Sequence, residues 1–546
     1  MNQDSDLSLI ERLLKVRNIT DNRSLFLNPS FSKYWIDPFL LNDMDKWVDR
    51  IIQAMKSKEK IIIFWDYDVD WITASYVLYK FITHFLKYKN VAIRYPNRIE
   101  DGYWLKKKHI DAMKQEDNVD LIVTVDNWIT SVEEAEYAKE LWVDMIITDH
   151  HQALDSIPKA YAVINPQVSD DYSFKWLAWV GVAFKLINAI MSKSTLSREK
   201  KWEIFNYFLP IVAIGTVADI VPLVHENRII VKRWLEIINY HVEKAPKSLQ
   251  WFLKFLDIKW CIDTFHIWFV IWPRINAAWR IDSPYDSLNV LLCENDDQLQ
   301  YIEKIEEINN ERRRMQDQAF KIAEKQLKLE ENFLAVCDEE FHEWIVWIVA
   351  WRITEKYYKP SAVFKIDKEK NQAVASLRGP EYFNVIDMIG KASPYLKRFW
   401  GHKWAGGLTV DLEHLDKVIG IFEEYCNATI TPEQLEKITV VDTVLLSHEW
   451  NMEELSEIES LAPFWEWNGE PVFLLEDIRP EKVEKVGKNW GSHLKITWRF
   501  WEKTMTTIFW WKWDEAEKIW DRISVIWNIK RDTFNGGFYF HWTDLI

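Results

Sequence analysis

Three segments of the chain place acids or imidazoles directly after an apolar run. Asp66-Tyr67-Asp68-Val69-Asp70 follows Ile61-Ile62-Ile63-Phe64, Asp126 follows Leu121-Ile122-Val123-Thr124-Val125, and Asp149-His150-His151 follows Met145-Ile146-Ile147-Thr148. A further acid, Asp219, closes Gly215-Thr216-Val217-Ala218-Asp219. Carboxylates gathered in one place repel unless cations neutralise them. Carboxylate with imidazole is a donor set for Mn2+ or Mg2+ rather than for a soft-metal site. Two such ions sharing a carboxylate suit phosphodiester hydrolysis: they generate hydroxide at neutral pH, orient it, and neutralise charge on the phosphoryl oxygens. The expected arrangement has Asp126 bridging, Asp66 on one ion, and Asp68, His150 and Asp219 around the other. His151 is then free to contact the scissile phosphate or assist proton transfer. Asp70 and Asp149 orient the loop and the histidines.

For these residues to meet, the apolar runs must be neighbouring strands of one sheet. Continuous apolar strands separated by helices imply an α/β fold with a parallel sheet covered on both faces. The helical patterns are Met44 to Met55, Thr73 to Leu86 and Ser131 to Leu141, the last opening on a serine followed by acids. In such a sheet the carboxyl ends of the strands form the crevice where ligands bind. Helices continue to about residue 240. The segment from Asp296 to Glu331 is charged with apolar residues at helical spacing and reads as a long connecting helix. Its run Glu311-Arg312-Arg313-Arg314 reads as a solvated face. A second α/β unit follows, and after Ile430-Thr431-Pro432 short strands and turn signals predict a small barrel.

With 546 residues the chain is too long for one core. Its net charge of −16 argues against a broad basic face that coats nucleic acid without regard to sequence, though not against a narrow basic channel. The four cysteines are far apart in sequence, which suggests neither a zinc knuckle nor a disulfide framework. No apolar run approaches the roughly 20 residues needed to span a bilayer, and no signal peptide is evident. A cytoplasmic protein with no membrane association is expected.

Tryptophan stands where glycine belongs. The chain has 33 Trp and 14 Gly, whereas average usage of about 7% predicts roughly 38 glycines at this length. Trp71 follows the first acidic run, Trp279 interrupts Asn276-Ala277-Ala278-Trp279-Arg280, and Trp400 and Trp404 flank Gly401-His402-Lys403. These are turns where the absence of a Cβ is useful. Reading the codon UGA as tryptophan in a lineage that uses it for glycine would produce this pattern.

With glycine restored, Trp65-Asp66-Tyr67-Asp68-Val69-Asp70-Trp71, Val125-Asp126-Asn127-Trp128, Asp149-His150-His151 and Gly215-Thr216-Val217-Ala218-Asp219 resemble the four motifs of the DHH phosphoesterase superfamily. The resemblance is stronger to its single-strand-specific exonuclease branch, through Pro273-Arg274-Ile275-Asn276-Ala277-Ala278-Trp279-Arg280. His342 to Ala350 and Trp400 to Gly407 resemble the associated DHHA1 domain, and Ala462-Pro463-Phe464-Trp465-Glu466 and His493-Leu494-Lys495 resemble a C-terminal OB-fold. The resemblance implies an N-terminal segment at 1–44, a DHH catalytic domain at 45–245, a helical connector at 246–331, a DHHA1 domain at 332–430 and an OB-fold β-barrel at 431–546. It implies 5′→3′ degradation of single-stranded DNA to 5′-mononucleotides in repair and recombination, with two Mn2+ or Mg2+ ions. Arg274, Asn276, Arg280, Ser376, Arg378, Gly401 and His402 are the candidates for DNA contacts, arginine because its planar fork donates bidentately to phosphate. A monomer is expected, partnered by a single-strand-binding protein and a repair helicase. The rival readings are a phosphodiesterase for short oligonucleotides or cyclic dinucleotides and an inactive scaffold of the same fold.

Overall fold

The computed structural model describes the chain except residues 1–6, 20–22, 66–68, 97–104, 127–128, 154–155, 259–260, 279–283, 447–448, 450, 487–492, 501–502, 510–515, 517–518, 520–522, 532–537 and 546. The chain divides into two compact units, one of residues 1–279, 283–302 and 440–546, the other of residues 280–282 and 303–439.

The first unit holds a parallel sheet of β1 (Ile61–Trp65), β2 (Val91–Arg94), β3 (Leu121–Val125), β4 (Asp144–Thr148) and β5 (Ala162–Ile164), in the order β2-β1-β3-β4-β5. The three anticipated strands are its centre. Ile61, Ile62, Ile63, Leu121, Ile122, Val123, Ile146 and Ile147 are fully buried, as expected of strands covered on both faces. The outer strands β2 and β5 are not anticipated. β2 alternates buried and half-buried residues and ends in a charge, so it lacks a continuous apolar signal. The helices Met44–Ser57, Val132–Glu140, Trp179–Lys193 and Arg198–Ala218 belong to this unit. The helix expected from Thr73 begins earlier, at Val69, and runs into a π-helical turn at Phe81–Phe85.

The end of helix Val132–Glu140 bears on the excess of tryptophan. The amide of Val143 donates to Ala138 O at 2.9 Å and that of Trp142 to Lys139 O at 3.1 Å. This is a Schellman ending, with Trp142 at the position usually held by glycine. Trp142 has φ 56° and is 91% exposed. Trp467 has φ 61° in the tight turn that Trp465 and Asn468 close with two backbone hydrogen bonds. Both indoles stand where a Cβ is a liability. By contrast Trp47 and Trp179 are fully buried, and their indole N–H groups donate to Leu186 O and Thr148 O at 3.3 and 2.9 Å. Those two are packed in the core.

The second unit contains a five-stranded sheet of β6 (Leu334–Asp338), β7 (Ser361–Asp367), β8 (Gln372–Arg378), β9 (Leu396–His402) and β10 (Ala405–Asp411), in the order β6-β7-β8-β10-β9. β6 and β7 are parallel and the remaining pairs antiparallel. The anticipated long helix is present but shorter, Gln298–Gln326.

At the C-terminus β11 (Thr443–Val444), β12 (Val472–Val486), β13 (His493–Phe500), β14 (Lys503–Phe509), β15 (Ile523–Arg531) and β16 (Phe538–Leu545) form an antiparallel sheet, except for the parallel β11–β12 pair. β12 pairs first with β15 and then with β13, and bulges between Leu475 and Ile478 and between Pro480 and Lys482 let it bend between them. The N-terminal helix Leu9–Val16 belongs to this domain. Leu9, Ile10, Leu13 and Leu14 share a core with Leu455, Ile458, Phe473, Leu494, Trp498 and Trp527. Arg12 pairs with Glu449 inside it, and Arg17 reaches Asp442 at 3.3 Å. Among the described residues no helix is long and apolar enough to cross a membrane.

Candidate metal centre

The register of the first sheet brings the candidate ligands together. Trp65, Val125 and Thr148 stand in one row across β1, β3 and β4. Asp126 and Asp149 therefore leave the sheet at the same level, one residue beyond neighbouring strands. Asp126 turns at once into the left-handed region, φ 63°, with its amide held by Thr148 O at 3.0 Å. Aspartate is one of the few residues that enters this region readily. Asp219 arrives from elsewhere, as the C-cap of helix Arg198–Ala218, with its amide on Gly215 O at 2.9 Å.

His150 faces both of these acids. Its Nε2 is 3.6 Å from Asp126 Oδ1 and its Nδ1 3.5 Å from Asp219 Oδ2. His151 Nδ1 lies 2.9 Å from Asp126 Oδ1 and 2.8 Å from Asp149 Oδ1. Ligand-capable atoms of Asp126, His150 and His151 all lie within 4.8 Å of one another. The donors fit a hard divalent cation: anionic oxygen and imidazole nitrogen, without sulfur. The His150 distances exceed hydrogen-bond length, so this ring looks onto the acids across a gap. His151 is closer to Asp126 than the sequence expectation, which sets it apart from the ligands, requires.

Asp149 is fully buried and committed to orientation. Its Oδ1 accepts from the His150 and His151 amides at 2.7 and 2.9 Å and from His151 Nδ1 at 2.8 Å; its Oδ2 accepts from the Ile129 amide at 2.8 Å. Burial works to raise its pKa. The hydrogen bonds and charge of His151, with the charge of His150, outweigh that and bring it down to about 2. Burial likewise works against protonation of His151, but Asp126 and Asp149 raise its pKa to about 11.

Trp71, in the helix Val69–Lys80, intrudes on this group: its indole N–H donates to Asp126 Oδ2. The contact occupies an oxygen of the carboxylate expected to bridge. Glycine at position 71 would leave that oxygen open. Asp66 and Asp68 lie outside the described residues, and of Asp70 only the backbone, within the same helix, is described.

The candidate DNA contacts fall in both units. In the first, Arg274 donates from Nη1 to Val270 O at 2.8 Å, and Asn276 is 5% exposed at the end of helix Trp272–Ile275. Arg280 lies outside the described residues. In the second, cross-strand register aligns Arg378 with Ala405 and His402, and Ser376 with Gly407 and Trp400. Opposed residues share a sheet face, and residues two apart on a strand share it too. Ser376, Arg378 and His402 thus stand on one face. Burial lowers the Arg378 pKa to about 10. Gly401 lies against backbone, since a Cβ there would meet Ala405 O at 2.8 Å and Gly406 Cα at 2.9 Å. The Trp400 ring covers Gly407 on that face, where an added Cβ would meet it at 2.7 Å.

Sequence reading misses the buried polar run Glu226-Asn227-Arg228, all fully buried. Such a run at a helix start reads as a solvated face, and only its partners reveal otherwise. Glu226 pairs with the fully buried Lys185 at 2.6 Å and accepts from Tyr172, joining helices Trp179–Lys193 and His225–Tyr240.

Comparison with known proteins agrees with this architecture. Residues 60–216 match the family described as DHH family, N-terminal domain, and residues 441–540 match the RecJ OB domain. The chain thus carries one segment that matches the DHH N-terminal domain and another that matches the RecJ OB domain. It is 32% identical over 503 residues to the single-stranded-DNA-specific exonuclease RecJ of Bacillus subtilis, covering 90% of this chain and 61% of that relative. It is 28% identical to RecJ of Haemophilus influenzae, covering 91% of this chain and 87% of the relative. Among solved structures, RecJ of Thermus thermophilus in complex with Mn2+ has the same fold, with a TM-score of 0.80 at 22% identity, covering 98% of this chain and 75% of that one.

Proposed function

We propose that this chain is a metal-dependent exonuclease that degrades single-stranded DNA from the 5′ end and releases 5′-mononucleotides, acting in repair and recombination. The observation that carries the reading is the imidazole of His150 facing both Asp126 and Asp219 at the rim of the parallel sheet. The relatives from Bacillus subtilis and Haemophilus influenzae bear the name of this activity, and solved RecJ structures from Thermus thermophilus hold Mn2+ or Mg2+. Asp126, His150 and Asp219 would hold the ions here, with Asp66 and Asp68 completing the set and Asp126 shared between two metals. When bound, the ions supply a hydroxide at neutral pH and neutralise charge on the phosphoryl oxygens.

The chain's own residues do the rest. Asp149 fixes the rotation of the His151 ring and the path of the His150–His151 backbone, so that the His151 imidazole is already ordered when substrate arrives. His151, with its side chain 47% exposed, reaches the solvent side of the group, where it contacts the scissile phosphate or moves a proton. Arg274, Asn276, Arg280, Ser376, Arg378, Gly401 and His402 are the candidates for contacts with the strand. The division into DHH (45–245), connector (246–331), DHHA1 (332–430) and OB-fold (431–546) domains belongs to the same reading. So do a cytoplasmic monomer and partnership with a single-strand-binding protein and a repair helicase. Trp71, Trp142, Trp400 and Trp467 are read as glycines in the living protein.

The test compares end-labelled single strands, duplexes and dinucleotides with Mn2+ or Mg2+. Mononucleotides released from the single strand are expected. Product from dinucleotides alone would move the assignment to the oligonucleotide phosphodiesterases.

A further inference from the structure

The loop that carries Asp219 has a backbone that its own residues do not favour. Ile220 has φ 56° and His225 φ 45°. A β-branched residue is a genuine outlier in that region. Such conformations persist only where the surroundings over-determine them. Asn227, fully buried, donates from Nδ2 to Pro222 O at 3.1 Å and to Trp176 O at 2.6 Å. The Leu223 amide donates to Glu466 O of the C-terminal domain at 3.3 Å.

Arg228 fastens the next turn. It is fully buried, its guanidinium stacks on Phe26 at 3.7 Å, and all its hydrogen bonds go to backbone carbonyls. Nε donates to Phe26 O at 2.6 Å, Nη1 to Pro463 O at 3.1 Å, and Nη2 to Leu461, Ala462 and Ser460 O at 2.7, 2.8 and 3.4 Å. Ser460 caps the helix Met452–Glu459. Carbonyls at a helix C-terminus carry the negative end of its dipole and suit a cation. One side chain of the catalytic domain thus gathers the N-terminal segment and the 460–463 stretch of the C-terminal domain. Within a few residues, Glu466 of that same stretch holds the Asp219 loop.

We propose that Arg228 is a positioning residue for the metal centre: by tying the start of helix His225–Tyr240 to residues 460–463, it fixes the strained 219–225 loop and so sets the reach of Asp219 toward His150. The inference rests on the reading of Asp219 as a metal ligand. On this view the C-terminal domain is a structural support of the metal centre as well as a strand-binding module.

The test uses the full-length chain with glycine at position 71 and follows Mn2+ binding by electron paramagnetic resonance, with circular dichroism to report folding. Arg228→Lys keeps the charge but has too few donors for all these carbonyls; Arg228→Met keeps the length and removes the donors. Loss of a partner hydrogen-bonded to a ligand typically weakens metal affinity about 10–100-fold, and Arg228, which acts through the loop rather than on a ligand, is placed at the lower end of that range. A folded Arg228→Lys protein should show its Mn2+ midpoint raised about tenfold, and Arg228→Met at least as much where it folds. Reversible unfolding raises the apparent midpoint by the inverse of the folded fraction, so the midpoint is compared only where circular dichroism shows the variant fully folded. An unchanged midpoint in folded Arg228→Lys overturns the inference. Asp219→Asn separates the two claims: if it leaves Mn2+ binding unaltered, the ligand assignment fails, whereas if it weakens binding and Arg228→Lys does not, only the positioning role fails.

Discussion

The same substitution, tryptophan to glycine, should move stability in opposite directions at two positions. At Trp142 the chain has φ 56° and the indole is 91% exposed. An L-residue in the left-handed helical region pays roughly 1–2 kcal/mol, and glycine does not. Glycine's greater backbone freedom in the unfolded chain returns about 0.5–1 kcal/mol of that gain. An exposed ring forfeits almost no burial, so Trp142→Gly should stabilise by about 0.5–1 kcal/mol. For a domain of roughly 200 residues this raises the melting temperature by about 1–4 °C. At Trp179 the side chain is fully buried and donates to Thr148 O at 2.9 Å, at the carboxyl end of β4. Emptying that site costs about 3–5 kcal/mol in transfer and cavity terms, and the lost hydrogen bond about 1 kcal/mol more. A fall of about 8–24 °C is the expected result. Circular dichroism melts of the full chain and the two variants decide the matter. If Trp142→Gly lowers the melting temperature as Trp179→Gly does, the reasoning about glycine positions is wrong.

Three more outcomes are expected. Asp126→Ala should abolish cleavage of a labelled single strand while leaving much of its binding to that strand, as read by gel shift; full activity would reject the bridging role. Trp71→Gly removes a hydrogen bond to a carboxylate worth about 1.5–3 kcal/mol, so Mn2+ should bind about 10–100-fold more tightly in a calorimetric titration; equal affinity would show that the indole does not compete. In metal-free protein, Asp149 has its pKa brought down to about 2 from 3.8, so between those values the unfolded chain binds more protons and stability rises with pH. Its contribution, about 2 kcal/mol, is complete above pH 4 and lost as the pH falls through 2. Asp149→Asn should flatten that part of the acid-denaturation curve, and an unaltered curve would contradict the assignment.

The heart of the parallel sheet was legible because its strands are buried on both faces. Leu121 to Val125 and Met145 to Thr148 are unbroken apolar runs that end in chemistry. The barrel was legible in outline, through short strands and turns after residue 432. What could not be read depends on partners distant in sequence. Nothing in Leu9–Val16 says that its apolar face joins a core with Phe473 and Trp527. The amphipathic pattern specifies a buried face but not its partner. Arg228 looks solvated in sequence because the carbonyls that satisfy it come from backbone at 26 and 460–463. The Asp149 hydrogen bonds are equally invisible, since three of the donors are backbone amides. Tryptophan at 142 and 467 gives no motif to recognise; only the sign of φ exposes those positions.

The central claim is that Asp126, His150 and Asp219 hold a pair of divalent ions at the rim of the sheet. Counting Mn2+ ions bound per chain by electron paramagnetic resonance, in protein with glycine at 71 and in its Asp126→Ala variant, tests it most directly. The account predicts two ions in the first and at most one in the second. Equal occupancy of the two proteins would contradict it.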